Sequence, residues 1–212
     1  MRIRVSICVI AVVAVAVAGC TSSSEGSPRP VPDDAVSGSD SPTTLSSEAV
    51  DLPYAGAPAV EDPLDTAKFQ QDPCKALTST QTENLNVQSG EPHDGGLGNA
   101  CEFRGRSDRL ALIDIAFADK YPHGLSAVYQ ANDDGKWAFF EELSPIEGYP
   151  AVAYDGVDQR DTGGCAVEVG TSDEIAFEVS LQLSADKVGE KEPCETAAMV
   201  AGKVLQTMKA AR

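Results

Sequence analysis

The residues of this 212-residue chain that could perform chemistry are six cysteines, two histidines and 33 acidic side chains. Nucleophilic catalysis needs a thiol or hydroxyl beside a base, and that base is most often a histidine held by a carboxylate. His93 precedes Asp94 in a segment rich in Pro and Gly, and His123 follows Tyr-Pro, so both histidines are expected in solvated loops. We therefore predict no catalytic residue and no enzymatic activity.

Three of the acidic residues are candidate metal ligands. Asp155, Asp158 and Asp161 lie within one Gly-containing segment. Three such carboxylates could hold Ca²⁺, but a solvated loop between strands has the same composition. We expect the loop, and no metal or cofactor. The formal net charge of −17 also argues against nucleic acid as a partner, because phosphate binding needs clustered Lys and Arg.

The first twenty residues predict an extracytoplasmic protein. Two arginines precede an apolar run over residues 7–18, which is shorter than the ~20 residues that span a bilayer. The following Val-Ala-Gly-Cys, ending at Cys20, resembles the bacterial lipobox. That resemblance implies a lipoprotein signal peptide over residues 1–19 and a diacylglyceryl group, with palmitate-type chains, on Cys20. An ordinary signal peptide with a chance cysteine, or an uncleaved anchor, would also place the domain outside the cell.

A lipid-anchored protein on the extracytoplasmic face of the cell membrane is therefore expected, with the membrane contacted through the N-terminal lipid. Residues 21–65 contain seven of the thirteen prolines, many serines and one basic residue. Such a composition buries too little apolar surface to offset the entropy of ordering the chain. We predict a disordered tether over residues 20–65 and a single domain over residues 66–212.

Two helices and several strands are predicted within that domain. Asp72-Pro73-Cys74 and Glu192-Pro193-Cys194 each place Pro at a first helical position, so helices are expected over residues 72–85 and from 193 to the C-terminus. A short helix is expected over residues 124–131. Apolar and polar residues alternate most clearly over residues 174–183. Further strands are expected near residues 101–104, 110–117, 137–143, 149–154 and 165–169. The pattern predicts an α+β fold, with an antiparallel sheet and the N-terminal and C-terminal helices packed on one face.

Four cysteines remain after Cys20 is lipidated and Cys8 leaves with the signal peptide: Cys74, Cys101, Cys165 and Cys194. Four cysteines allow three pairings. We favour Cys74–Cys101 and Cys165–Cys194, since each bond would join a helix start to a neighbouring strand. A metal site is the alternative, but the cysteines are scattered singly and no C-x-x-C is present. Two disulfides leave no thiol for catalysis.

Several short motifs occur in a characteristic order after the lipobox and the Ser/Pro-rich segment. They are Asp72-Pro73-Cys74-x-x-Leu77, Ala100-Cys101-Glu102-Phe103, Gly148-Tyr149-Pro150-Ala151-Val152, Cys165-x-Val167-x-Val169 and Glu192-Pro193-Cys194. This order resembles the actinobacterial lipoproteins of the domain of unknown function 3558 family. Glu192 departs from the more usual Asp of the last motif, which affects the helix cap and not the cysteine. The resemblance implies an envelope lipoprotein with disulfides and supplies no activity or substrate.

The aromatic residues supply the one candidate binding surface. Trp137, Tyr149 and Tyr154 cluster in the sequence and are candidates for contact with a ligand or partner. We therefore expect a lipid-anchored envelope protein of unknown molecular function. The favoured hypothesis is a non-catalytic binding module for an envelope protein or lipid. The alternatives are a carboxylate-dependent hydrolase of the cell envelope and a purely structural surface domain.

Overall fold

The computed structural model describes residues 51–108 and 110–212. The predicted signal peptide, the lipidated Cys20 and most of the predicted tether lie outside these residues. Within the described part of the chain, no helix combines the length and the apolar character needed to cross a membrane.

The centre of the fold is one seven-stranded antiparallel sheet. Its strands are β1 (Glu91–Asp94), β2 (Asn99–Arg104), β3 (Leu112–Phe117), β4 (Phe139–Ile146), β5 (Tyr149–Asp155), β6 (Gly164–Gly170) and β7 (Ala176–Gln182). They are ordered β1-β2-β3-β7-β6-β5-β4, so β1 and β4 form the two edges. The sequence predicts a loop at residues 91–94, since Pro92 interrupts any alternation of apolar and polar residues. The structure instead has the short edge strand β1 there, whose four residues are all exposed.

The α-helices are α1 (Ala67–Gln71), α2 (Ser79–Asn84), α3 (Ser126–Asp133) and α4 (Pro193–Lys209), with short 3₁₀ helices at Pro73–Ala76 and Arg160–Thr162. The single helix predicted over residues 72–85 is instead a 3₁₀ turn followed by α2. The backbone of Leu77 is extended, and Thr78 then begins a new helix by forming a reciprocal capping box with Gln81. The capping box provides partners for the free N–H groups at the start of α2, which fixes the break.

Helix α4 covers one face of the sheet, which we call the helical face. Its apolar stripe is fully buried and consists of Ala197, Val200, Ala201, Val204, Leu205 and Met208. These side chains pack with the buried residues of the central strands, among them Phe117, Phe177 and Val179. Complete burial of each large side chain contributes roughly 1.5–3 kcal/mol, so this layer holds the fold together. The predicted class, an antiparallel α+β sheet with both terminal helical regions and two disulfides, is confirmed.

The opposite side of the sheet, which we call the outer face, is covered only in part. Helix α3 places Leu125, Val128 and Tyr129 against Val152 and Tyr154 of β5. The outer-face residues of β3, β6 and β7 beyond α3 are half-buried and largely polar or small. The sheet therefore has one closed hydrophobic face and one face that is open over its central strands.

Both predicted disulfides are present. Cys74–Cys101 joins the 3₁₀ turn to β2, and Cys165–Cys194 joins β6 to the first turn of α4, each with the two Cα atoms 5.1 Å apart. The two bonds close loops of similar length, with sequence separations of 27 and 29 residues. Each one fixes the start of a helical segment on the sheet.

The last fifteen residues of the predicted tether, residues 51–65, belong to the folded part, and we call them the strap. Val60 and Leu64 are buried, and Leu64 N donates to Thr171 O at 2.8 Å. Asp62 receives a hydrogen bond on its carbonyl oxygen from Tyr149 Oη at 3.1 Å and forms an ion pair with Arg212. A few isolated apolar residues suffice for this packing; Leu64 and Leu52-Pro53-Tyr54 stand out from the Pro- and Ser-rich composition as candidates for it.

Candidate functional site

A groove with a volume of about 560 Å³ lies on the outer face, over the central strands. Its floor is low because the outer-face positions include small residues such as Ala116, Gly164 and Ala166, while the larger apolar residues of the same strands alternate to the helical face. The polar and aromatic side chains that line it are Asp114, Trp137, Tyr154, Asp155, Gln159, Glu178, Ser180 and Gln182. The alternation of side chains between the two faces of the sheet therefore forms the groove.

Two of the three predicted surface aromatics form one wall of the groove. The rings of Trp137 and Tyr154 are in contact, with their centroids 4.6 Å apart. Trp137 Nε1 donates to the carbonyl oxygen of Val128 in α3 at 2.9 Å. Packing on one side and this hydrogen bond on the other hold the indole in a defined position.

Tyr149, the third predicted surface residue, does not lie with the other two. It packs in the core on the helical face and is only 4% exposed. Tyr149 and Tyr154 are an odd number of positions apart on the same strand, so their side chains point to opposite faces. The candidate surface therefore contains Trp137 and Tyr154 alone.

Beside this wall, two glutamates occupy directly opposite positions on neighbouring strands. Glu168 of β6 pairs with Glu178 of β7, and both side chains point to the outer face. Tyr154 Oη lies 3.1 Å from Glu168 Oε2 and is also hydrogen-bonded to Glu178 Oε2. Ser180 Oγ donates to the other oxygen of Glu178 at 2.7 Å. A phenol thus bridges two carboxyl groups at the edge of the groove.

The protonation of this cluster follows from burial and from the count of hydrogens. Burial, together with the neighbouring Glu178 carboxylate, raises the pKa of Glu168 to about 8. Burial and the two carboxyl groups also hold the pKa of Tyr154 well above its usual value. The phenol has a single hydrogen, so it can donate to only one of the two carboxyl groups. The geometry has Tyr154 Oη as donor toward both carboxyl groups; when Glu168 holds its proton, that proton can instead be donated to Tyr154, which leaves the phenol hydrogen for Glu178.

Sequence reasoning missed Glu168 and Glu178. Each stands at a polar position of an alternating strand, which is typical of a solvent-exposed residue. Their pairing depends on β6 lying next to β7 in a particular register. The alternation does identify both as outer-face residues, and this is the only signal that the sequence contains.

A smaller apolar pocket, with a volume of about 180 Å³, lies next to the groove beneath α3. Besides Glu168 it is lined by Leu97, Ala118, Tyr121, Gly124, Ala127, Val128, Ala131, Trp137 and Tyr154. Leu97, Trp137 and Tyr154 also line the groove, so these three residues form a shared wall. Glu168, a neutral acid at pH 7, is the one carboxyl group in the lining of the apolar pocket.

The two histidines lie in different surroundings. His93 is in the exposed edge strand β1 rather than in a loop, and its Nε2 is 2.9 Å from Asp114 Oδ1. This hydrogen bond raises the pKa of His93. His123 packs edge-on against Tyr54 of the strap, and its Nδ1 is buried without a hydrogen-bond partner in the described structure.

Two of the three candidate calcium ligands, Asp155 and Asp158, are occupied by local contacts. Asp155 accepts hydrogen bonds from Val157 N and Gln159 Nε2 at 3.1 and 3.0 Å. Asp158 pairs with Arg160, and this contact lowers the pKa of Asp158 to about 2. Over residues 51–108 and 110–212 there is no group of three or more His, Cys, Asp or Glu side chains arranged to hold a metal ion.

Comparison with known proteins identifies a family. No curated protein and no solved structure matches the chain. A family model described as "Protein of unknown function (DUF3558)" matches residues 15–207, which include the strap, the whole sheet with its groove, both disulfides and all but the end of α4. The chain therefore belongs to the DUF3558 family, as its motifs predict.

Proposed function

We propose that the protein is a lipid-anchored binding module on the extracytoplasmic face of the cell membrane, with its ligand in the outer-face groove. The observation that carries the proposal is the Glu168–Tyr154–Glu178 cluster at the edge of that groove. Two carboxyl groups at opposite positions of neighbouring strands are costly, because one must stay neutral in a buried site or repel the other, and apolar residues of similar volume would often stabilise the fold more. Groups held in such perturbed states are found preferentially at functional sites.

The same cluster favours a second candidate, a carboxylate-dependent hydrolase. A neutral acid beside an ionised carboxylate is the division of roles used in glycoside hydrolysis. Both groups must then reach the bond that is cleaved. Glu168 is only 4% exposed, and its Oε2 is hydrogen-bonded to Tyr154. Binding is therefore the better supported function.

The anchor can be tested with a matched pair of cysteine variants. Cys20→Ser removes the sulfur that would carry the lipid, so the protein should lose its fatty-acid label and its lipid anchor. Cys8→Ser, within the predicted signal peptide, should leave both lipidation and membrane association unchanged. Metabolic labelling with a palmitate analogue, followed by membrane fractionation, measures both. Label on the Cys20→Ser protein would contradict the proposed anchor.

Native mass spectrometry tests the binding function. The mature chain, secreted from Thr21 onward by a related bacterium, should carry a reproducible added mass from a retained small molecule. Ala166→Phe fills the floor of the groove and should remove this mass, because Ala166 points into it. Ala185→Phe, at an exposed position outside the groove, is the control. An unliganded wild type, or an added mass that survives Ala166→Phe, would contradict a ligand in the groove.

A further inference from the structure

We propose that the ligand is an amphiphilic amine, whose ammonium group lies in the groove and whose short apolar group enters the apolar pocket. This inference rests on the proposed binding function and names the chemical class of the ligand. The observation behind it is the arrangement of two cavities of opposite character on either side of the wall formed by Leu97, Trp137 and Tyr154. A molecule that lies across this wall contacts both cavities at once.

The apolar pocket determines one end of the ligand. Most of its lining is alanine, leucine, valine and aromatic carbon, and the carboxyl group of Glu168 is neutral at pH 7. Its volume of about 180 Å³ is close to the roughly 150 Å³ of a cavity that holds benzene. The pocket therefore suits a short hydrocarbon chain or a single ring.

The charge of the groove determines the head group of the ligand. Asp114, Asp155 and Glu178 contribute three carboxyl groups to its lining, whereas none of the described residues that line it is Lys, Arg or His. An anionic head would be repelled there, and an ammonium would be attracted. The indole of Trp137 adds a π face, which favours a cation within about 6 Å of the ring. Asp114 is hydrogen-bonded to His93, whose pKa this contact raises and which lies outside the lining.

Tryptophan fluorescence can report binding at this site. Trp137 is the only tryptophan, and it belongs to the shared wall. Its fluorescence in the mature chain can be titrated at pH 7 with n-hexylamine, with hexanoate and with ethylamine. Hexylamine should bind at least about tenfold more tightly than hexanoate, because its charge is attracted and not repelled by the carboxylates of the groove. It should also bind at least about tenfold more tightly than ethylamine, because it has four more methylene groups to bury.

Variants separate the two ends of the ligand. Asp114→Asn should weaken hexylamine severalfold, whereas Asp186→Asn, an exposed aspartate outside the groove, should not. Ala131→Leu narrows the apolar pocket from α3 and should abolish the preference for hexylamine over ethylamine. Circular dichroism of each variant establishes that it is folded.

The outcomes distinguish this inference from the proposed function. If hexanoate binds as tightly as hexylamine, the ligand is not an amine, and a groove-dependent added mass in native spectra would still support a binding module. If none of the three probes changes Trp137 fluorescence, the amphiphilic amine is overturned. The effect of Ala166→Phe on the added mass then decides the binding function separately.

Discussion

Glu168→Gln is expected to stabilise the folded protein at alkaline pH by about 2 kcal/mol or more, with little change at pH 5. In the wild type, the pKa of Glu168 is raised from 4.5 to about 8, so the folded state retains a proton that the unfolded chain releases. The free energy of unfolding therefore falls as pH rises from about 4.5 to about 8, by up to ~1.4 kcal/mol per pH unit. A neutral glutamine amide does not titrate, and it can donate to Tyr154 as the neutral acid does.

Urea denaturation at pH 5, 7 and 9, followed by Trp137 fluorescence, measures this effect. The curves of the wild type and of Glu168→Gln should diverge as the pH increases. Glu174→Gln removes an exposed carboxylate just before β7 and should run parallel to the wild type. If the free energies of unfolding of Glu168→Gln and the wild type run parallel with pH, the pKa of Glu168 is not raised in the folded state, which would contradict its protonation at neutral pH.

The second large effect is expected from loss of a disulfide. Cys165→Ala with Cys194→Ala should lower the free energy of unfolding by roughly 3.5 kcal/mol, because the unfolded chain regains the entropy of an open loop. The Cys74–Cys101 loop has nearly the same length, so its double variant should lose a similar amount. Non-reducing urea denaturation of the two double variants and the wild type measures both losses.

The comparison between the two bonds separates unfolded-state entropy from native packing. Cys101 and Cys165 are both buried strand residues, and Cys74 and Cys194 both lie in the first turn of a helical segment. A loss below about 1 kcal/mol for both pairs would contradict the entropic explanation. Two clearly unequal losses would assign the difference to the native contacts around one of the bonds.

Much of the fold was predictable because its signals are local. Alternation over residues 174–183 predicts β7 (Ala176–Gln182) to within two residues at its start and one at its end. The two acidic-Pro-Cys segments mark helical starts, and each of their cysteines pairs with whichever of the other three domain cysteines is nearest to it in the sequence. Local chemistry also explains the misplaced helix, since the capping box of Thr78 and Gln81 competes with continuation from Asp72.

The site was less predictable because it depends on the order of the strands. Glu178 lies opposite Glu168 through the register of the β6–β7 hairpin, whereas the neighbouring position of β3, from which β7 is separated in the sequence by β4, β5 and β6, brings Asp114 beside Ser180. No periodicity specifies such a neighbour. The sequence could have predicted that Tyr149 and Tyr154 lie on opposite faces of the sheet, because residues an odd number of positions apart on one strand face opposite sides. The composition of residues 51–65 predicts a tether, although isolated apolar residues such as Leu64 already suggest contacts with the domain, and Leu64 is indeed buried.

Under the proposed lipid anchor, which would hold the domain by its N-terminus, the strap also has a mechanical consequence. Tension on the tether reaches residues 51–65 before it reaches the sheet, which two disulfides secure. The strap is held by a few hydrogen bonds and by small buried residues such as Val60, so it should peel away first. Fifteen extended residues span at most about 50 Å. In the proposed anchored protein, release of the strap would therefore lengthen the tether under tension while the strands that form the groove stay folded.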